Sequence, residues 1–133
     1  MEISKLEDIL EKCWCEETTI GLEKWTAENL SWGQCVPTSL VVNDYLGGEI
    51  IWATAKLPNG EEVSHYFNRI NSEEADLTRK QFPYGTIIPS GIDRKVGRDK
   101  KEHPTTRDYL LSSPRVVTRY NLLKQKVEEY LKK

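Results

Sequence analysis

Apolar residues recur at helical spacing as Ile3, Leu6, Ile9, Leu10 and Cys13, which predicts a short amphipathic helix over residues 3–14 with Cys13 on its buried stripe. From 16 to 34 the pattern breaks into a polar stretch punctuated by Trp25 and Trp32, read as a long loop pinned by its aromatics. Val36, Leu40, Val41 and Tyr45 then share one face of a helix over 36–46 that Gly47 and Gly48 stop. Because proline fits only the first helical turn, Pro37 puts Cys35 at the N-cap or the first helical position. The period next shifts toward two. "EIIWATAKL" reads as a strand, "PNG" at 58–60 as a tight turn, and "EEVSHYFNRI" as a returning strand with Val63, His65 and Phe67 on one face, expected to be the packed face that meets the start of the 36–46 helix. "NSEE" at 71–74 makes a second turn and "ADLT" starts a third, antiparallel strand, completing a β-meander.

Residues 83–104 have no clear period and are dense in proline, glycine and basic residues. They are read as loop with one short strand at "GTIIP", placed to fold over a site as a lid. Thr105 with Asp108 three residues on resembles a capping box, and Pro114 opens a last helix whose stripe is Val116, Tyr120, Leu123, Val127 and Tyr130. The expected fold is α+β, one domain over residues 1–133: a helix carrying an N-terminal cysteine packed on an antiparallel meander, with helices at both ends.

A chain of 133 residues is long enough for one packed core. It has no run of about 18 apolar residues that would span a membrane, and its start is acidic and amphipathic, unlike an export signal; a cytoplasmic protein is expected. Three cysteines in such a chain are best read as thiols. The net charge of −2 hides an asymmetry: residues 1–76 hold 15 acidic and 5 basic residues, and residues 77–133 hold 6 acidic and 14 basic. Opposite halves can attract each other across one domain, or the basic half can offer a site to an acidic ligand. The basic stretch 94–101 has no interleaved aromatics for base stacking, so nucleic acid is not the expected partner.

A thiol at a helix N-terminus feels the partial positive charge of unsatisfied N–H groups, which favours the nucleophilic thiolate. Such a nucleophile needs a base, and His65 is one of two histidines. The base needs an orienting partner; Asp76, 11 residues on and across the "NSEE" turn, is within cross-strand reach. The oxyanion donors would be the Cys35 N–H and the side-chain amide of Gln34 or Asn29, with Gly33 allowing close approach of a carbonyl. Trp25 and Trp32 are candidates for substrate contacts. The competing reading of each is plainer: Cys35 a small packed residue, His65 a satisfied strand histidine, Asp76 a turn residue, His103 a solvated surface group. Cys13, Cys15 and Cys35 with a histidine could in principle ligate zinc, but no second recognisable ligand pair exists, and no metal or cofactor is expected.

The order of Cys, His and polar orienter resembles the papain-like thiol hydrolases, in particular their NlpC/P60 and transglutaminase-like branches. A closer resemblance, carried by "WTAEN" at 25–29, "GQCVPTSLVVNDYLGGEI" at 33–50, "SHYFNRI" at 64–70, "DLTRKQF" at 76–82 and "TRDYLLSSP" at 106–114, is to the YunG-like family of bacterial and archaeal proteins. Trp32 and the Cys13-Trp14-Cys15 cluster depart from that pattern. Together these residues lead to an expected function: a thiol-dependent hydrolase or acyltransferase on a peptide or other amide, using Cys35, His65 and Asp76. The alternative is a binding module that holds a peptide or small ligand in the same groove without turnover.

Overall fold

The computed structural model describes residues 1–21, 24–96 and 100–133, so the middle of the basic stretch 94–101 lies outside the described residues. The chain order is α1 (Ile3–Cys13), α2 (Cys35–Leu46), β1 (Glu49–Lys56), β2 (Glu62–Ile70), β3 (Glu73–Ala75), a 3-10 turn (Arg79–Gln81), α3 (Thr106–Leu111) and α4 (Pro114–Leu131). The class is α+β, with one antiparallel sheet in the order β1-β2-β3. No helix among the described residues is long and apolar enough to cross a membrane.

The helix ends follow the local chemistry. Cys35 is the first residue of α2, with Gln34 before it and Pro37 inside the first turn. The Thr105 hydroxyl accepts from the Asp108 N–H at 3.1 Å and donates to its carboxylate at 2.8 Å, which caps α3. Pro114 opens α4, whose stripe buries Val116, Tyr120, Leu123 and Val127, with Tyr130 half-buried.

Helix α2 departs from the one-sided stripe expected of it. Pro37, Thr38, Ser39, Leu40, Val41 and Val42 are all buried, because α2 is sandwiched between the sheet on one side and α1 and α4 on the other. Its polar turns are satisfied inside that sandwich: the Trp14 indole donates to Thr38 Oγ1 at 2.9 Å, and Asn68 Nδ2 donates to the Ser39 carbonyl at 3.0 Å.

The two hairpins differ. At the first, Gly60 N–H bonds the Leu57 carbonyl at 2.9 Å and Leu57 N–H bonds Glu61 at 2.8 Å, so a type I turn followed by Gly60 at φ +91° closes a three-residue loop. At the second, Asn71 and Ser72 both take positive φ, 52° and 67°, between the paired Ile70 and Glu73, a two-residue turn. The third strand is therefore Glu73–Ala75, earlier than "ADLT", and Asp76 sits just past its end. The "GTIIP" region runs beside β1, joined by backbone bonds of Ile87 to Lys56 and Ile92 to Trp52, and so covers the outer edge of the sheet.

Residues facing each other across the β1–β2 ladder share a side. Ile50 with Asn68 and Trp52 with Tyr66 face the helices; Ile50, Tyr66, Leu40, Val41 and Leu123 belong to the main core. Ile51 with Phe67 and Ala53 with His65 face the other way, into a smaller cluster under Ile88. The expectation that His65, with Val63 and Phe67, projects from the helix-covered face is overturned. The strand centre is buried on both sides, so burial along the sequence could not tell the sides apart.

Candidate functional site

His65 is fully buried. Its ring lies stacked 5.4 Å from Phe67 and edge-on to Phe82 at 4.9 Å, which fixes its plane. Its Nε2 meets Asp76 Oδ2 at 2.6 Å. The second hairpin brings this pair together: the Asn71-Ser72 turn sets Asn68 opposite Ala75, and the next residue is Asp76. Asp76 Oδ1 also accepts from Thr78 Oγ1 at 3.5 Å, and its side chain is only 16% exposed.

Burial is the largest single influence on the His65 imidazolium and disfavours it, but hydrogen bonding with Asp76 and then with Cys35, together with the charges of both, raises the pKa from 6.5 to about 9. With Nε2 held by Asp76, Nδ1 is the nitrogen left for the thiol. Gln81 Nε2 stands 3.5 Å from Nδ1, too far for a strong bond. β3 pairs with β2 only over Asn68–Ile70, so the stretch that holds His65 is open on that side. Cys35, at the start of α2, shares a cleft with Val63, Ser64 and Tyr66 of β2.

That cleft encloses about 490 Å³ and is lined by residues from the 20–36 segment, β2, the 3-10 turn, α3 and the start of α4. Cys35 is half-buried on its wall, and His65 is sealed behind it. As the first residues of α2, Cys35 and Val36 have N–H groups with no intrahelical acceptor.

The proposed amides are used elsewhere. Gln34 is fully buried, its Oε1 accepting from Thr18 Oγ1 at 2.8 Å and its Nε2 donating to the Cys15 carbonyl at 3.1 Å. Asn29 Nδ2 donates to the Gln81 carbonyl at 3.0 Å. Neither lines the cleft, nor does Trp25, whose indole donates to the Leu30 carbonyl at 3.0 Å. Trp32 does line it, edge-on to Phe82 at 6.2 Å and beneath the Lys24 ammonium. Gly33 has φ +72°, and a Cβ there would come within 2.1 Å of Thr19 Oγ1, so its missing side chain is required by the neighbouring chain itself.

The residue that sequence reasoning missed is Gln81. It is buried, reaches the cleft, bonds Gly33 N–H through Oε1 at 3.3 Å and Thr78 Oγ1 through Nε2 at 3.1 Å, and stands beside His65. Its signal is present in "TRKQ", the Thr-x-x-Gln spacing of a capping box. Arg94, Tyr66 and Tyr109, also on the cleft wall, carried no sequence signal for such a role. His103 is half-buried, its ring 5.4 Å from that of Tyr109, and so is not the solvated residue expected. The three thiols are free; Cys13 is buried, which pushes its thiol pKa up. Among the described residues, no three His, Cys, Asp or Glu side chains gather as metal ligands.

The uncharacterised protein YunG of Bacillus subtilis (strain 168) is 36% identical over 74 residues, which are 56% of this chain and 57% of that protein. The match thus spans a little over half the length of that relative. No solved structure matches. The family model described as YunG protein matches residues 2–132, nearly the whole chain, and so the chain belongs to the YunG family.

Proposed function

We propose that the chain is a thiol-dependent hydrolase or acyltransferase acting on an amide, working in the manner of papain-like enzymes. The observation that carries this is a buried His65 held by Asp76 at 2.6 Å on Nε2, next to a cleft whose wall carries Cys35 at the head of α2.

In this reading Cys35 and His65 share one proton that rests on the imidazole, and the Cys35 Sγ thiolate attacks the amide carbonyl carbon. The oxyanion is held by the Cys35 N–H at the head of α2, with the Gln81 amide in the role first assigned to Gln34 or Asn29. Collapse of the intermediate breaks the C–N bond, and His65 protonates the departing amine. Water or an acceptor amine then attacks the thioester, returning the thiol. Asp76 keeps the imidazole plane and tautomer fixed throughout. To be protonated, the departing amine must reach His65 past Cys35, directly or through one bridging water.

Alkylation by iodoacetamide near neutral pH tests the activated thiol. Cys35 is expected to react faster than Cys13 and Cys15, and His65→Gln to remove most of that difference; equal rates for all three thiols would sink the reading. In a screen over peptides, glutamine amides and acyl thioesters, Cys35→Ser is expected to abolish any turnover found. The binding-module reading draws on the aromatic, half-open cleft. It predicts no turnover and ligand affinity unaltered by Cys35→Ser.

A further inference from the structure

Arg94 stands on the cleft wall with its guanidinium 4.4 Å over the Trp52 ring and 5.8 Å from that of Tyr109. One of its five N–H donors is used by Tyr66, Nη1 to Oη at 3.0 Å. Among the described residues no carboxylate pairs with it. The cleft's other cation, Lys24, is compensated by Glu61 at 3.7 Å. Arg69 and Arg107, by contrast, each have a carboxylate partner.

A guanidinium in a partly buried aromatic wall with no carboxylate partner among the described residues is unusual, because the charge gives up solvation without gaining an anion there. Its position is fixed from several sides: the Arg94 backbone N–H bonds Thr106 Oγ1 at 2.6 Å, and the side chain is stacked and bonded to Tyr66. The planar fork is therefore held in place with donors to spare, the arrangement that suits bidentate carboxylate recognition. Trp52, the ring beneath it, also has the one buried side-chain polar atom without a partner among the described residues, its indole Nε1. Tyr66 links this point to the thiol. Burial pushes its phenol pKa up, Arg94 opposes that, and Cys35 adds to it, so both groups act on one hydroxyl.

We propose that the cleft binds a ligand bearing a carboxylate, seated on Arg94 and flanked by Tyr66 and Tyr109, so that the amide substrate of the proposed reaction is an acidic one. This rests on the Cys35 reading for its reaction but not for its binding. A singly charged carboxylate fits better than a phosphate, since Arg94, the one cleft cation without a carboxylate partner among the described residues, would leave a dianion undercompensated.

Binding is tested on the full chain carrying Cys35→Ala, so that no turnover is involved. Benzoate, benzamide and inorganic phosphate are titrated by NMR, following the Arg94 side-chain N–H and the Trp52 indole. Benzoate is expected to bind about tenfold or more tightly than benzamide, a difference of about 1.4 kcal/mol. Arg94→Gln should bring the two to parity, and Arg94→Lys, which keeps the charge without the fork, should recover only part of the preference. Equal affinities in the unsubstituted cleft, no saturable response to benzoate in the millimolar range, or phosphate binding more tightly than benzoate would each overturn the proposal. A chain that binds benzoate as expected but whose Cys35 alkylates no faster than the other thiols would separate the failure of the catalytic reading from that of this site.

Discussion

The two faces of the sheet are built by different means. On the helix side, Ile50, Trp52 and Tyr66 meet α2 and the terminal helices in one large apolar core. On the other side Ile51, Ala53 and Phe67 have only Ile88 and neighbouring loop residues to cover them, and among them sits a buried, hydrogen-bonded histidine. The thick face holds the fold chiefly by apolar burial, whereas the thin face buries less and leaves room for a polar network. Cys35 belongs to the first by its helix and His65, whose pKa Cys35 helps to raise, to the second, so the candidate site lies between the two faces.

If stability resides on the helix side, truncation should cost far more there. Leu40 is fully buried in the middle of α2, and Leu40→Ala is expected to cost roughly 2–5 kcal/mol. Ile88 is only half-buried over the thin face, and Ile88→Ala should cost about 1 kcal/mol. Urea unfolding of both variants checks this; comparable losses would mean that the thin face contributes as much as the thick one.

The largest electrostatic effect should come from the thin face. The His65 pKa is raised in the folded chain from 6.5 to about 9, so the unfolded chain releases this proton first. The stabilisation from the charged ring is therefore complete below about pH 6.5 and is lost as pH rises through about 9, with an upper bound of roughly 3 kcal/mol. Stability measured across that window should fall for the natural chain and fall much less for Asp76→Asn, which removes the main favourable partner. An identical slope in the two would place the source of any decline elsewhere.

Gly33 separates crowding from backbone strain on the cysteine side. Gly33 and Gly47 share nearly the same positive φ, 72° and 73°, but a Cβ at Gly47 would meet nothing within 4 Å while one at Gly33 would strike Thr19 Oγ1 and the Gly21 backbone. Gly47→Ala should cost roughly 1–3 kcal/mol from conformation alone, since φ 73° with ψ −153° is a region that essentially only glycine occupies. Gly33→Ala should cost more, because crowding adds to its positive φ, and should slow Cys35 alkylation by shifting the segment that leads into α2. Equal costs in thermal melts would show that the contact with Thr19 yields easily.

Local signals were legible where local chemistry decides. Pro37 located the start of α2, Thr105 and Asp108 the cap of α3, and the spacing of His65 and Asp76 across a turn their 2.6 Å contact. What was not legible depends on packing between distant segments. Whether α2 covers the even or the odd residues of β2 is a matter of packing between distant segments, and nothing within β2 reveals it, since Ser64, Tyr66 and Asn68 are as plausible an inner face as Val63, His65 and Phe67. Gln34 looked free because the turn at 15–18 that consumes its amide has no periodic signature. Arg94 looked like one cation in a basic run until Trp52 and Tyr109 were found around it.

The smallest effect tests how the thin face is delivered. The turn at Asn71 and Ser72 takes positive φ at both positions, where the two-residue hairpin most favours Asn-Gly. Asn tolerates this region, but Ser72, at φ 67°, carries a Cβ that crowds its own backbone. Ser72→Gly relieves that strain and also loosens the unfolded chain, so the two effects partly offset and a net gain of about 0.5 kcal/mol is expected. The gain should appear in the thermal midpoint. Because the same turn sets the register that brings Asp76 to His65, the variant should also keep the imidazole signals of His65 unshifted in NMR spectra. A loss of stability, or a displaced His65 resonance, would mean that Ser72 does more than turn the chain, and that the carboxylate is held in place by something other than this hairpin.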